Sequence, residues 1–214
     1  MKQDLQYFYN RLVANGIPFV CDINGVIRDI WTTNCKIDIF PGSFNPLHEA
    51  HKSIFDAIPY HHLSIKKCFE ISIQRVGKES LPCFTDHDPD NLLNSLYLRL
   101  EQFQGYAPVI ITNAARFIEK VGVLRNYKPR FHIGADTLSR MIDDYTLRGI
   151  YGIASEFVVY DRIVDGNIIG LKSLCGSSIP ENCKLGTTPN RNLLGISSTE
   201  IRNKQSKENT NGSF

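Results

Sequence analysis

The sequence predicts an α/β fold with a doubly wound parallel sheet of about five strands. The first reason is that, from residue 36 onwards, short runs of β-branched and aromatic residues alternate with amphipathic helical patterns. Such alternation is typical of βαβ units, whose parallel strands are covered by helices on both faces. The second reason is that 42% hydrophobic and 21% charged residues are ordinary values for a globular chain, which excludes a largely disordered, collagenous or coiled-coil protein.

An N-terminal extension, residues 1–35, is expected to precede the sheet. Between residues 4 and 15 apolar side chains recur at near-helical spacing, which predicts a helix. The dipeptide Asn24-Gly25, placed between two apolar-rich runs, is a strong signal for a hairpin turn. The extension is therefore predicted to be a helix followed by a hairpin.

The main domain is expected to cover residues 36–204. Its strands are predicted at residues 36–40, 67–73, 108–112, 130–133 and 156–161. Its helices are predicted at residues 48–58, 91–103, 114–126, 137–145 and 199–204. The polar end of the chain, residues 205–214, is expected to be a flexible tail. In open sheets of this Rossmann-like type, ligands bind beyond the carboxyl ends of the strands, so the segments that follow the strands form the candidate site.

Charge and cysteine content disfavour several classes of protein. The chain has 24 lysine and arginine residues against 22 aspartate and glutamate residues, without the basic excess of a duplex-DNA binder. Its six cysteines form no CxxC pair, so no zinc site is predicted, and free thiols in a reducing compartment, the cytoplasm, are expected. The opening residues lack the apolar core of a secretion signal, and no apolar run approaches the about 18 residues of a membrane span.

The segment that follows the first strand of the domain predicts an anion-binding site. It reads Gly-Ser-Phe-Asn-Pro-Leu-His-Glu-Ala-His over residues 42–51. Gly42 allows the backbone to approach a ligand closely, and Ser43 supplies a hydroxyl group. A helix N-terminus follows, where free backbone amides favour anions. His48 and His51 lie three residues apart and share one face of that helix, although two such histidines alone more often have a surface or capping role.

A second candidate segment lies near the end of the domain. Ser197 and Glu200 form a capping box, which places a helix start at this point. The segment leaves free amides and hydroxyl groups beside Arg202, so it can form a second anion site. The alternative is a well-capped terminal helix that binds nothing.

A third segment, Gly134-Ala135-Asp136, stands at the end of a predicted strand. The carboxylate of Asp136 can accept hydrogen bonds from ribose hydroxyls, as a carboxylate at a strand end often does. The alternative role for Asp136 is that of N-cap for the next helix, and the two roles are compatible.

These segments resemble the HxGH-type nucleotidyltransferase superfamily, which includes nicotinamide-mononucleotide and pantetheine-phosphate adenylyltransferases and several cytidylyltransferases. The family's first motif, Gly-Ser/Thr-Phe-Asp/Asn-Pro-x-His-x-Gly-His, is matched by residues 42–51 except that Ala50 stands where the family has Gly. Its late motif, Ile-Ser-Ser-Thr-x-Ile-Arg, is matched in full by residues 196–202. The stretch Phe-Glu-Ile-Ser at residues 69–72 is similar to the Phe-Glu-Leu-Ser of the nicotinamide-mononucleotide branch. The resemblance covers residues 37–202.

The resemblance implies transfer of AMP from ATP to a small phosphorylated acceptor, with release of pyrophosphate. With nicotinamide mononucleotide as the acceptor, the product would be NAD. A cytidylyltransferase that uses CTP, an adenylyltransferase with another acceptor and, from a different class, a non-catalytic nucleotide-binding sensor are the alternatives. An aminoacyl-tRNA synthetase fragment is disfavoured by the short chain and the lack of a basic surface. Neither a nucleic acid nor a membrane is expected as a partner, and a homo-oligomer is an open option.

The resemblance also implies roles for individual residues. Catalytic roles fall to His48, His51 and Arg202. The implied ATP-binding residues are Gly42, Ser43, Phe44, Asn45, Gly134, Asp136, Ile196, Ser197, Ser198 and Thr199. The implied acceptor-binding residues are Lys78, Thr112 and Phe117, of which Phe117 would supply a stacking ring because the only tryptophan lies outside the family core. Mg²⁺ would bind through the nucleotide phosphates, and no metal ligands from the protein are expected.

Overall fold

The protein is built on an eight-stranded sheet with strand order β10-β7-β6-β3-β4-β5-β1-β2, covered by helices on both faces. The computed structural model describes residues 2–30, 36–59, 65–74, 89–153, 155–187, 190–198 and 201–204. The strands are β1 (Phe19–Cys21), β2 (Ile27–Asp29), β3 (Lys36–Pro41), β4 (Ile65–Ser72), β5 (Val109–Thr112), β6 (Arg130–Gly134), β7 (Glu156–Tyr160), β8 (Arg162–Val164), β9 (Asn167–Ile169) and β10 (Cys183–Leu185). The helices are α1 (Lys2–Asn15), α2 (Glu49–Ala57), α3 (Pro89–Glu101), α4 (Phe117–Val123), α5 (Ala135–Tyr151) and α6 (Leu171–Cys175).

Six of the strands are parallel, and β3 lies in the middle of them. The chain runs from β3 outwards to β4 and β5, then returns to the other side of β3 to form β6 and β7. The loops that leave β3 and β6 therefore diverge, and such a topological switch point forms the crevice in which ligands of open α/β sheets bind. The predicted doubly wound parallel fold is confirmed, and its candidate site lies at the carboxyl ends of these two strands.

The N-terminal extension continues the sheet. Strand β1 pairs antiparallel with both β2 and β5, so the hairpin covers what would otherwise be the open edge of β5. In its turn, the carboxylate of Asp22 accepts hydrogen bonds of 2.9 Å from the backbone N–H groups of Asn24 and Val26, and Gly25 has a φ of +78°. The predicted helix and hairpin are thus both present.

All five predicted parallel strands are present, and one more parallel strand was missed. Strand β10 has three residues, of which only Cys183 is buried, so it lacks a recognisable apolar run. The short hairpin of β8 and β9 was also missed, although its turn residues Asp165 and Gly166 have φ values of +50° and +77° and form a typical Asp-Gly hairpin signal. The small helix α6 had not been predicted either.

Two predicted helices have different limits in the structure. Helix α4 begins only at Phe117, because the carboxylate of Glu119 caps it by accepting from the backbone N–H groups of Ala115 and Arg116. Helix α5 begins directly after β6, with Gly134 as its N-cap, and continues to Tyr151. The predicted helix at residues 199–204 is described at residues 201–204, which are helical.

Side chains of the central strands alternate between two cores, one on each face of the sheet. On β3, Ile37 and Ile39 pack in the core beneath α4, α5 and α6, whereas Phe40 packs in the core beneath α1, α2 and α3. On β4 the same alternation separates Cys68 from Phe69. Burial on both faces explains why these strands appear in the sequence as nearly continuous apolar runs.

Four cysteines lie in the described part of the chain, and all four are buried: Cys21, Cys68, Cys175 and Cys183. Their burial raises the pKa of Cys21 to about 11 and that of Cys183 to about 12, so these thiols are unreactive at neutral pH. Among the described residues there is no helix of the length and apolarity that crossing a membrane requires.

Candidate functional site

The loop that leaves β3, residues 42–48, is called the first loop here, and it is shaped by the ring of Phe44. Phe44 has a φ of +44° and is only 1% exposed, because its ring packs edge-to-face against Phe69 and Phe103. A Cβ atom at position 42 would lie 2.6 Å from that ring. A glycine is therefore required at position 42 to leave room for the Phe44 ring. This requirement differs from the predicted close approach of a ligand.

His48 and His51 stand at the N-terminus of α2, one as N-cap and the other in its first turn. The backbone N–H of His48 donates to Nδ1 of His51 at 3.4 Å, so the neutral His51 ring carries its hydrogen on Nε2. The two imidazoles stack with their centroids 3.6 Å apart, and His51 also meets Phe40 and Phe44 edge-on. His51 therefore has a capping role, and the capping hydrogen bond fixes its ring in the position where it stacks on His48.

Both ring nitrogens of His48 are buried without a hydrogen-bond partner among the described residues. The residue is 7% exposed, so water offers little compensation. A buried polar atom left unpaired costs about 1–3 kcal/mol, and unpaired atoms of this kind are rare in folded proteins. The arrangement is understandable if a ligand with hydrogen-bonding oxygens completes the site.

Burial lowers the pKa of both histidines. Desolvation, with a further contribution from the charge of Arg162, lowers the pKa of His48 from 6.5 to about 4. Desolvation, followed by the effects of His48 and Arg162, lowers the pKa of His51 to about 2. Both rings are therefore neutral at pH 7, and each has one N–H group to donate and no proton to give up readily.

Arg162 is a site residue that the motifs did not reveal. It opens β8 directly after β7, and its Nη2 donates to the carbonyl of Ile196 at 2.8 Å. Its Nε lies 3.6 Å from Oδ1 of Asp136, and its charge acts on both histidines. A Cβ atom at Gly134 would lie 3.2 Å from its Cγ, so the glycine leaves room for the side chain. The signal that could have found Arg162 is its place just after a predicted parallel strand.

The C-terminal segment, residues 196–202, reaches the first loop. The guanidinium of Arg202 donates to the carbonyl of Asn45, and Oγ of Ser198 donates to the carbonyl of Pro46 at 3.0 Å. The backbone N–H of Ile201 donates to the carbonyl of Ser197 at 3.2 Å, which begins the final helical turn. Two segments more than 150 positions apart in the sequence are thus in direct contact.

Two residues of the late motif, Thr199 and Glu200, lie outside the described residues. The predicted ATP contact of Thr199 and the predicted capping box between Ser197 and Glu200 therefore stay predictions. The contacts of Ser198 and Arg202 with the first loop do not depend on them.

Asp136 lies in the first turn of α5, where the positive end of the helix dipole favours a carboxylate. Its Oδ2 accepts from Arg140 at 3.3 Å, and its Oδ1 faces Arg162. The N-cap position belongs to Gly134, so the alternative role proposed for Asp136 is wrong. The side chain is 41% exposed and open to a ligand.

Two of the three predicted acceptor residues, Thr112 and Phe117, are not brought to the crevice. The hydroxyl of Thr112 is buried and donates to Oε1 of Glu70 at 2.6 Å, and Nζ of Lys120 lies 2.6 and 2.8 Å from the two oxygens of the same carboxylate. Phe117 is 8% exposed and packs edge-to-face on core rings. Both side chains have interior partners, and Lys78 lies outside the described residues. The stacking ring expected for the acceptor is therefore not supplied by Phe117.

Ala50, which stands where the family motif has glycine, is 3% exposed on α2. Together with Ser53, Arg162 and Leu194 it lines a cavity of about 10 Å³. That volume is room for one water molecule at most. The methyl group of Ala50 thus fills space between α2 and the Arg162 side chain.

The assembled crevice offers donors to a negatively charged ligand. It is surrounded by the neutral imidazoles of His48 and His51, the guanidinium groups of Arg162 and Arg202, and the N-terminus of α2. Among the described residues, no three His, Cys, Asp or Glu side chains lie together as a metal site would require. A donor set of this kind suits phosphate oxygens.

Comparison with known proteins identifies the family of the chain. A family model described as cytidylyltransferase-like matches residues 39–204, which include both segments of the crevice. No curated protein matches the chain. Two solved structures of nicotinic acid mononucleotide adenylyltransferase from Plasmodium falciparum, complexed with APC and with NaAD, are similar at 19% and 20% identity. Each alignment covers 79% of this chain and 83% of the other, with TM-scores of 0.48 and 0.47. Because the family model spans most of its length, the chain belongs to the cytidylyltransferase-like family of nucleotidyltransferases.

Proposed function

We propose that the protein transfers AMP from ATP to a small phosphorylated acceptor and releases pyrophosphate, with nicotinamide mononucleotide as the acceptor and NAD as the product. The observation that carries the proposal is the buried His48 ring, whose two nitrogens have no partner among the described residues and which is surrounded by further donors. Family membership supports the reaction type, and the motif at residues 69–72 supports the choice of acceptor.

In the proposed reaction, an oxygen of the acceptor's phosphate attacks the α-phosphorus of ATP. A new P–O bond forms, the bond between the α-phosphorus and the oxygen bridging to the β-phosphorus breaks, and pyrophosphate leaves with that electron pair. The attacking oxygen is already anionic, so the protein need not supply a base. Its task is to position two polyanions and to stabilise the charge that develops.

The lowered pKa values fit the histidines to this task. Since His48 and His51 are neutral at pH 7, each can donate one N–H to an oxygen of the α- or β-phosphate without exchanging a proton. Donors that are already aimed at such oxygens stabilise the transition state more than the ground state. Arg162 and Arg202 would hold the leaving pyrophosphate, and Asp136 would accept from the ribose hydroxyls.

Mg²⁺ is proposed to enter with the nucleotide. It prefers oxygen ligands and keeps several waters, so the triphosphate itself can supply most of its coordination. When bound, it would reduce the negative charge of the triphosphate. The protein's own contribution is the donor set of the crevice.

The alternatives differ in what they bind and release. A cytidylyltransferase would use CTP in place of ATP, and the match to a cytidylyltransferase-like family model favours this alternative. A non-catalytic sensor would bind a nucleotide and release no pyrophosphate with any acceptor.

A grid of reactions tests the proposal. ATP and CTP are each combined with nicotinamide mononucleotide, nicotinic acid mononucleotide and pantetheine phosphate, and pyrophosphate release is measured. The proposal expects release with ATP and a pyridine mononucleotide, and its loss in the His51→Ala variant. Release with CTP alone would favour the cytidylyltransferase, and ATP binding without release in all six reactions would favour the sensor.

A further inference from the structure

The first loop is tied to a helix that belongs to none of the motifs. Gln102 directly follows α3, and its side-chain amide contacts the loop twice: Oε1 accepts from the backbone N–H of Leu47 at 2.7 Å, and Nε2 donates to the carbonyl of Phe44 at 3.3 Å. One turn earlier, Nη1 of the buried Arg99 donates to the carbonyl of Ser43 at 3.3 Å. These contacts join residues 55 to 58 positions apart.

The loop needs such support because of its backbone. Phe44 has a positive φ, a conformation that residues with a side chain rarely adopt unless their surroundings impose it. Gln102 holds the carbonyl of Phe44 and the N–H of Leu47, so it closes the turn between them. Leu47 is followed by His48 and the first turn of α2, and the turn therefore determines where both imidazoles lie.

We propose that Gln102 is a positioning residue for the nucleotide site, and that its amide holds the first loop so that His48 and His51 face the phosphates. In its kinetic consequence this inference rests on the proposed function. The amide is well suited to the role, since it offers a donor and an acceptor to a carbonyl and an N–H of the same turn. An apolar side chain of equal length would fill the space and leave both backbone groups without a partner.

Three variants separate positioning from stability. Gln102→Met keeps the length of the side chain and removes both hydrogen bonds. Gln102→Glu keeps an oxygen that can accept from the backbone N–H of Leu47. It puts a carboxylate oxygen in place of the amide group that donates to the carbonyl of Phe44. The control is Leu100→Ala, which truncates a buried side chain on the same helix and leaves the Gln102 amide unchanged. Each protein is measured for kcat and KM of pyrophosphate release, for Tm and for hydrogen exchange at the Leu47 amide.

The proposal expects Gln102→Met to lower kcat by about 10- to 100-fold, since small displacements of positioned groups cost factors of this order, with a smaller change in KM for ATP. The Leu47 amide should exchange faster in this variant and remain protected in Gln102→Glu. Leu100→Ala should lower Tm by more than Gln102→Met does and keep the kcat of the folded enzyme.

Three results would overturn the inference. They are an unchanged kcat in Gln102→Met, an equal loss of kcat in Leu100→Ala, and unaltered exchange of the Leu47 amide in Gln102→Met. If the unmodified protein releases no pyrophosphate in any reaction, the proposed function fails, and Leu47 exchange then decides alone whether Gln102 holds the loop.

Discussion

Protonation of His48 is expected to destabilise the fold as the pH falls from 6.5 towards 4. Burial, aided by the charge of Arg162, lowers the pKa of His48 from 6.5 to about 4. Between these pH values the unfolded chain binds a proton at this position and the folded chain does not, so the free energy of unfolding decreases as the pH falls. At about 1.4 kcal/mol per pKa unit, the shift corresponds to roughly 3 kcal/mol.

Urea unfolding of the unmodified protein and of His48→Gln, followed between pH 6.5 and 4, measures this loss. The glutamine does not titrate, so the free energy of unfolding of the variant should depend less on pH, by about 3 kcal/mol over the range. Burial also lowers the pKa of His51 and His132. Both residues are present in both proteins, so their contributions to the pH dependence of unfolding largely cancel in the comparison. An identical pH dependence would refute the assignment of a buried, neutral His48.

Saturating ATP provides a second arm of the same experiment. A bound triphosphate beside His48 favours the charged imidazole and raises its pKa, so it should reduce the difference between the two proteins. If ATP binds and leaves the difference unchanged, His48 does not face the phosphates.

Three further predictions concern single side chains. His51→Ala should lower kcat at least about 100-fold while the protein keeps its fold, because a lost transition-state donor typically costs 10²–10³ in rate. Timed assays of pyrophosphate release at saturating substrate would show the loss, and wild-type turnover would contradict it. Arg202→Ala should weaken ATP binding in a calorimetric titration, and an unchanged Kd would count against its contact with the triphosphate. Lys120→Met should destabilise the protein by about 3–5 kcal/mol in urea unfolding, because it leaves the carboxylate of Glu70 buried and without its cation. Adding Glu70→Gln to Lys120→Met should restore much of that loss, and no recovery would contradict the reasoning.

The sequence was sufficient to predict five of the six parallel strands and the two segments that meet in the crevice. The five strands could be recognised because burial on both faces makes them short apolar runs, as in β3 and β5. The resemblance implied that residues of both the first loop and the segment 196–202 bind ATP, and the hydrogen bonds of Ser198 and Arg202 bring the two segments together.

Residues whose roles come from the tertiary structure are not marked by any motif. Arg162 and Gln102 lie outside every motif, and each acquires its role only because the fold brings distant segments beside it. Thr112 and Phe117 were misplaced for a related reason: a position at a strand end or in a helix start does not reveal how deep a side chain lies. Packing places the Thr112 hydroxyl on Glu70 and the Phe117 ring in the core.

The fit of the Phe44 ring over Gly42 makes these two positions interdependent. A methyl group at 42 cannot be accommodated while the ring is present, and a smaller side chain at 44 would leave a void among Phe40, Phe69 and Phe103. Neither residue can therefore be substituted independently of the other. Any redesign of this crevice for another nucleotide would have to retain both or exchange them together.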